Sequence, residues 1–205
     1  MADEIASESW RIFIAIEVPD NVRAAIIGVQ ENCIKRVGGK SMKWTRPDQF
    51  HLTIRFLGSL ERTALIEMTI KLRQACAGLK PLDLRCADLG IFPERGRPRV
   101  VWVGVRDDDG DDGGNGLERT FRAVATATSG FGQSEPEKNF TGHITLARCK
   151  EINRVTATQV KELVRNFSKR DFGSWQAREV QVLRSELSPQ GALHSVLERI
   201  PLAAC

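Results

Sequence analysis

FHLTIRFLG, Phe50–Gly58, is the stretch on which the reading of the chain turns. Side chains alternate faces along a strand, so Phe50, Leu52, Ile54 and Phe56 fall on one side and His51, Thr53 and Arg55 on the other. The clean apolar set predicts a strand with one buried face. A second stretch, GHITLAR (Gly142–Arg148), has the same form. Ile144 and Leu146 take the core face there, while His143, Thr145 and Ala147 share the opposite one. A lone strand histidine is most often half-exposed or hydrogen-bonded in a core, and threonine is a common strand former for steric reasons. Yet the chain has three histidines, and two of them precede an apolar residue and a threonine in the same strand context. That coincidence points to a shared role.

Outward from these two stretches, strand and helix patterns alternate. WRIFIAIEVP (10–19) reads as a buried strand closed by Pro19, and DNVRAAIIGVQENCIKRV (20–37) as a helix with Asp20 as N-cap, stopped by Gly38 and Gly39. MKWTRP (42–47) is strand-like, and LERTALIEMTIKLRQACAGL (60–79) is helical. LDLRCADLGIFP (82–93) and PRVVWVGVR (98–106) form a hairpin pair across a basic loop. GLERTFRAVATATSGFG (116–132) and TATQVKELVRNFSKR (156–170) are helical, and REVQVLRSEL (178–187) and GALHSVLERIP (191–201) close the chain as strands. Hairpin-length connections, without regular βα repeats, favour antiparallel pairing. The expected fold is α+β: a bilobal, duplicated arrangement of two mainly antiparallel sheets flanking a central cleft, with helices outside and one motif strand in each lobe.

The bulk numbers agree with one such unit. The chain has 205 residues, 41% of them apolar and 27% charged, and no run of transmembrane length. Residues 1–9 read as a disordered leader ahead of a single two-lobed domain over 10–205. The acidic opening has neither the basic nor the apolar region of a signal peptide, so a cytoplasmic protein is expected. Five cysteines, without a C-x-x-C pair, read as reduced thiols in a core. The net charge of +4 is uneven, because DDDGDD at 107–112 concentrates acid in one loop. The Gly- and Asp-rich segment 107–116 reads as a solvated loop. Its spacing lacks the closing Glu and leading helix of an EF-hand. The remaining basic excess permits a phosphate-bearing partner without requiring one.

Each motif strand offers one imidazole and one hydroxyl about 7 Å apart along its axis, from the ~3.3–3.4 Å rise per residue. If the strands face one another across a cleft, two imidazoles oppose each other with two hydroxyls beside them. That set suits in-line attack on a phosphodiester: one neutral His takes a proton from the nucleophile, and one protonated His gives a proton to the leaving oxygen. Thr53 and Thr145 would hold non-bridging oxygens, where charge builds. An unperturbed pKa of ~6.5 lets both imidazole forms coexist near neutrality and predicts a bell-shaped pH–rate profile with two limbs there. No carboxylate cluster accompanies the histidines, so no metal or cofactor is expected. The sequence leaves open which histidine is acid and which is base.

RIFIAIEVPD, KWTRPDQFHLTIRFLG, RPRVVW, HITLAR and LRSELSPQGALHSVLE resemble, in order, the two-histidine phosphoesterases, most closely the RNA 2′,3′-cyclic phosphodiesterases, also called 2′-5′ RNA ligases. The resemblance spans about Trp10 to Pro201. It implies hydrolysis of a 2′,3′-cyclic phosphate to a 2′-phosphomonoester, or in reverse 2′-5′ joining of RNA ends. It further implies His51 as proton donor to the departing 3′ oxygen, His143 as proton acceptor activating water, and Thr53 and Thr145 as phosphate holders. RNA ends or small cyclic nucleotides are the implied partners of a monomer without a membrane or an obligate protein partner. Rival readings are the same fold acting on 2′-5′ oligonucleotides or ADP-ribose cyclic phosphate, and a binding module for RNA ends without turnover. The resemblance places Arg148 near the phosphate, whereas strict alternation puts it on the core side; a strand end or bulge would reconcile the two. Alternation favours Arg55. Arg46, Arg97 and Arg99 are further candidate backbone contacts, and Trp44 and Phe92 candidate base-stacking residues. Gly142 replaces an expected proline and should loosen the entry to its strand. His194 stands where an aromatic residue is usual and reads as a cleft wall or a core filler.

Overall fold

A computed structural model of the chain describes residues 8–37, 42–108, 115–134, 139–150, 152–189 and 191–202. The strands are β1 (Ser9–Glu17), β2 (Met42–Trp44), β3 (His51–Glu61), β4 (Leu82–Phe92), β5 (Val100–Asp107), β6 (His143–Cys149), β7 (Asp171–Ala177), β8 (Glu179–Ser188) and β9 (Gly191–Pro201). The helices are α1 (Asp20–Val37), α2 (Ala64–Cys76), α3 (Gly116–Ala127) and α4 (Arg154–Asn166). One sheet runs β3-β1-β8-β9 and the other β2-β6-β5-β4-β7, and every pairing is antiparallel. The expected α+β class with two antiparallel sheets and peripheral helices is the observed one. The lobes are interleaved in sequence: β1 and β3 are completed by β8 and β9 from much later in the chain, and the second sheet takes β2 from between them.

One continuous apolar core joins the sheets, with Ile14 and Leu52 from one and Leu84, Val103 and Ile144 from the other. α1 and α4 pack together beside β7 and β4, and α2 packs on β3 and β9. Where α4 begins, the Asn153 side chain accepts from the Thr156 N–H, satisfying one of the donors a helix start leaves unpaired. Cys33, Cys76 and Cys86 are buried free thiols, which burial pushes up to about 11, 11 and 12; as expected, they fill a core.

Three expectations change. β7 lies in a segment without strand alternation. It is polar outside Phe172, Trp175 and Ala177, turns at Gly173 (φ +108°), and forms the edge of its sheet on β4. Of the expected leader 1–9, residues 1–7 lie outside the described residues, but Ser9 already opens β1. Of the acidic segment, 109–114 lie outside them, but Asp107 has a defined role, since its carboxylate accepts from the Leu117 N–H at the start of α3.

The feature that shapes the cleft is a pair of matched bulges. In β3 the register steps from Ala15↔Thr53 to Ile14↔Arg55, so Ile54 is the extra residue. In β6 it steps from Trp102↔Thr145 to Val101↔Ala147, so Leu146 is the extra residue. Each bulge sits three residues after its histidine, and each exchanges the two faces beyond it. The bulged carbonyl of Leu146 is satisfied by the Thr45 N–H (2.9 Å) and by the side-chain amide of Gln30 (3.1 Å), a buried residue of α1 that also donates to the Thr45 carbonyl.

Gly142 does not loosen the entry to β6. A Cβ there would stand 2.3 Å from the Val105 carbonyl oxygen, and the Gly142 carbonyl accepts from the Val105 N–H at 2.9 Å. The missing side chain lets the two backbones close together. Gly142→Ala should therefore cost about 1–3 kcal/mol through forced backbone displacement. Gln30→Leu should cost a similar ~1–3 kcal/mol by stripping buried carbonyls of a donor. Urea denaturation of both variants measures this, and wild-type midpoints would contradict the packing described.

Candidate active site

His51 and His143 are each the first residue of their strand, and each is held in the same way. The Nδ1 of His51 lies 2.7 Å from the Gln49 carbonyl and that of His143 lies 2.8 Å from the Thr141 carbonyl, two residues back in both cases. A carbonyl only accepts, so Nδ1 carries the proton in the neutral rings and Nε2 is left for a ligand. Each ring also leans on a phenylalanine from the neighbouring part of its own sheet. Phe13 stands 5.0 Å from His51 and Phe92 stands 5.1 Å from His143, between ring centroids.

Both histidines and both threonines line one cleft of about 520 Å³ between the sheets. Beyond the bulges the faces have exchanged, and Arg148 enters the same cleft. In β3 the exchange has the opposite effect on Arg55, which is 4% exposed on the core side and donates to the Ser134 carbonyl at 2.7 Å. Phe56 takes the cleft-facing position instead and is 51% exposed. Alternation from His51 thus misplaces both Arg55 and Phe56, for one physical reason, the residue inserted at Ile54. The structure brings together His51, Thr53, His143, Thr145 and Arg148, and it sets Arg55 apart.

Other candidates divide similarly. Arg46 lines the cleft but is paired with Asp48, and Trp44 lines it too. Arg97 and Arg99 lie in the β4–β5 loop and are not among the lining residues. Phe92 packs at a tilt against Trp102 and meets the His143 ring edge-on, so it supports the imidazole. His194 is a cleft wall: its ring meets Phe13 at 4.9 Å and His51 at 5.3 Å. Sequence reasoning missed Lys43, which pairs in register with Arg148 across β2–β6 and lines the cleft beside it. It also missed Gln30, whose apolar helical surroundings make a buried polar residue the available signal.

The charge balance of this cleft is one-sided. Arg11, Lys43, Arg46 and Arg148 line it together with the three histidines, and no carboxylate does so among the described residues. His51 responds most. Burial, with the positive charge of His194, His143 and Arg148 nearby, outweighs the Gln49 carbonyl and lowers its pKa to about 4. The unperturbed value of ~6.5 therefore does not describe His51, whose neutral form is favoured. Burial also lowers His194, against the opposing pull of the Asp48 carboxylate. Among the described residues no group of three or more His, Cys, Asp or Glu side chains converges as a metal site would, and no helix is long and apolar enough to cross a membrane.

The chain is similar to known proteins over most of its length. The family model for LigT-like phosphoesterases matches residues 16–102 and 111–194. An RNA 2′,3′-cyclic phosphodiesterase of Aquifex aeolicus is 31% identical over 85% of this chain and 89% of its own length. One from Thermus thermophilus is 31% identical over 94% and 90%. The solved structure of the Thermus thermophilus protein TT0787 superposes with a TM-score of 0.75 at 26% identity, covering 95% of this chain and 98% of that one. Escherichia coli LigT, solved with 3′-AMP, shares the fold at a TM-score of 0.70 and 22% identity, covering 95% and 99%. Since the two matched segments carry the two motif strands and the identity extends along most of both chains, the protein belongs to the LigT-like RNA 2′,3′-cyclic phosphodiesterase family of two-histidine phosphoesterases.

Proposed function

We propose that the protein hydrolyses the 2′,3′-cyclic phosphate of RNA ends or nucleotides to a 2′-phosphomonoester, with His143 as general base and His51 as general acid. The observation that carries this reading is the matched pair of imidazoles, each fixed through Nδ1 with Nε2 free, across a cleft lined by cations. Nε2 of His143 takes a proton from a water molecule as its oxygen attacks phosphorus. The bond from phosphorus to the 3′ oxygen breaks on the far side, and that oxygen leaves with the proton carried on His51 Nε2. Thr53 and Thr145 donate hydroxyl protons to the non-bridging oxygens, and Arg148 and Lys43 offset the charge that builds on them. With the 5′ hydroxyl of a second RNA end attacking in place of water, the same proton transfers would open the cyclic phosphate at its 3′ oxygen and leave a 2′-5′ linkage.

The acid role has a condition. Burial favours the neutral form of His51, so it must take up a proton when substrate binds, and the phosphate's negative charge favours that uptake. Binding and protonation are therefore linked. In the free enzyme His51 should titrate near pH 4 by NMR, and a bound 2′-nucleotide should raise that value toward neutrality. An unchanged titration on ligand binding would contradict the acid assignment. Correspondingly, the limb on which activity falls with rising pH should lie higher in kcat than in kcat/KM. Folding stability follows the same shift: because the His51 pKa is lowered in the native state, its contribution is complete above ~6.5. It is lost as pH falls from there toward about 4.

Turnover in EDTA of a 2′,3′-cyclic nucleotide by wild type, His51→Ala and His143→Ala tests the reaction itself. Each substitution should cost about 10²–10⁴-fold. A substrate with sulfur in place of the 3′ leaving oxygen needs no acid, so it should restore His51→Ala and leave His143→Ala impaired. Rescue of His143→Ala instead would exchange the two roles. Turnover indifferent to both histidines would remove the mechanism and leave RNA-end binding as the reading to pursue.

A further inference from the structure

The cleft is longer than one phosphate requires. Across the first sheet, Arg11 of β1 pairs with Ser185 of β8, and Ser185 pairs with His194 of β9. All three residues line the cleft. They form one polar row over two interstrand spacings, about 10 Å from ~4.8 Å each. The adjoining row in the same register is apolar: Phe56, Phe13, Leu183 and Val196. His194 anchors the near end, its ring 5.3 Å from that of His51, and Arg11 stands at the far end beside Gly58 and Ser134. Among the described residues Arg11 has no ion-pair partner, whereas nearby Arg184 is bound to Glu186 and Arg62 to Glu8. Asp48, the carboxylate that acts on His194, is itself held by Arg46.

We infer that Arg11, Ser185 and His194 form a second anion subsite, which takes the phosphodiester on the 5′ side of the cyclic nucleotide. The cleft is thus built for the end of an oligoribonucleotide and holds a cyclic mononucleotide with only part of its surface. This rests on the phosphodiesterase reading of the same cleft. A guanidinium and a hydroxyl in register are the groups that fix a phosphate of a nucleic-acid backbone. A polar track beside exposed aromatic surface is the general form of a groove for single strands, with bases stacking on the rings. Phe56, 51% exposed and 5.8 Å from Phe13, supplies that surface for the flanking base.

The test compares kcat/KM for a cyclic-phosphate-ended dinucleotide with that for the cyclic mononucleotide. Wild type should favour the dinucleotide by about tenfold or more, the value of one charge-assisted contact. Arg11→Met should bring that ratio close to one, chiefly through KM, with Arg11→Lys intermediate. A dinucleotide whose internal linkage is an uncharged methylphosphonate should behave on wild type like the mononucleotide. The salt dependence of the dinucleotide's kcat/KM should weaken in Arg11→Met by a slope of ~0.7, as for one lost phosphate contact on a single strand. Equal use of both substrates by wild type would overturn the subsite while leaving the phosphodiesterase reading intact. So would a proportional loss on both in Arg11→Met, while a preference that survives the methylphosphonate would overturn it in favour of the flanking base. Turnover of neither substrate by wild type would overturn the phosphodiesterase reading, and the subsite with it.

Discussion

The cleft depends on one constraint, the extra residue that each motif strand inserts three positions after its histidine. Alternation alone carries a histidine and a threonine to the cleft and then buries every second residue beyond them. The bulge exchanges the faces, so the fifth position after the histidine returns to the cleft: Phe56 on one side and Arg148 on the other. The fourth positions, Arg55 and Ala147, are buried. Each histidine is turned by a carbonyl two residues earlier and braced by a phenylalanine of its own sheet. The two lobes thus repeat a backbone device, while the residues they deliver differ: an aromatic face from one strand and a cation from the other.

That device explains what could be read from the chain and what could not. The two half-buried strands, the helix from Asp20 to Val37 and the closing hairpin announce themselves through period and caps. So do His51, Thr53, His143 and Thr145, which precede the bulges. Arg55 and Phe56 follow one, and a bulge has no signature in composition; it is a matter of register between strands distant in sequence. Lys43 reaches the site only because β2 pairs with β6, about a hundred residues later, and nothing local to MKW reports that pairing. The same holds for β7, whose strand character comes from its neighbour β4 rather than from its own alternation.

Electrostatics and packing both oppose a charge on His51. Phe13, His194 and the cleft wall remove water from the ring, and nearby positive charge disfavours a second one. The site therefore suits an anion, because a phosphate would relieve several unfavourable terms at once: it would screen the cations from one another and supply the counter-charge that a protonated imidazole lacks. An imidazole held neutral in this way would couple proton uptake to the arrival of an anion.

The interleaving of the lobes also orders events during synthesis. The β2-β6-β5-β4-β7 sheet has all its strands once residue 177 has emerged from the ribosome. The other sheet does not, because β1, made long before, has β8 as one of its two neighbours, and β9 ends at residue 201. Until then the apolar face of β1 and β3 is only partly covered. The lobe that holds His143 is thus the earlier one to close, and the lobe that holds His51 is finished only by β8 and β9. A nascent chain cannot hold an assembled pair of imidazoles before those two strands have emerged.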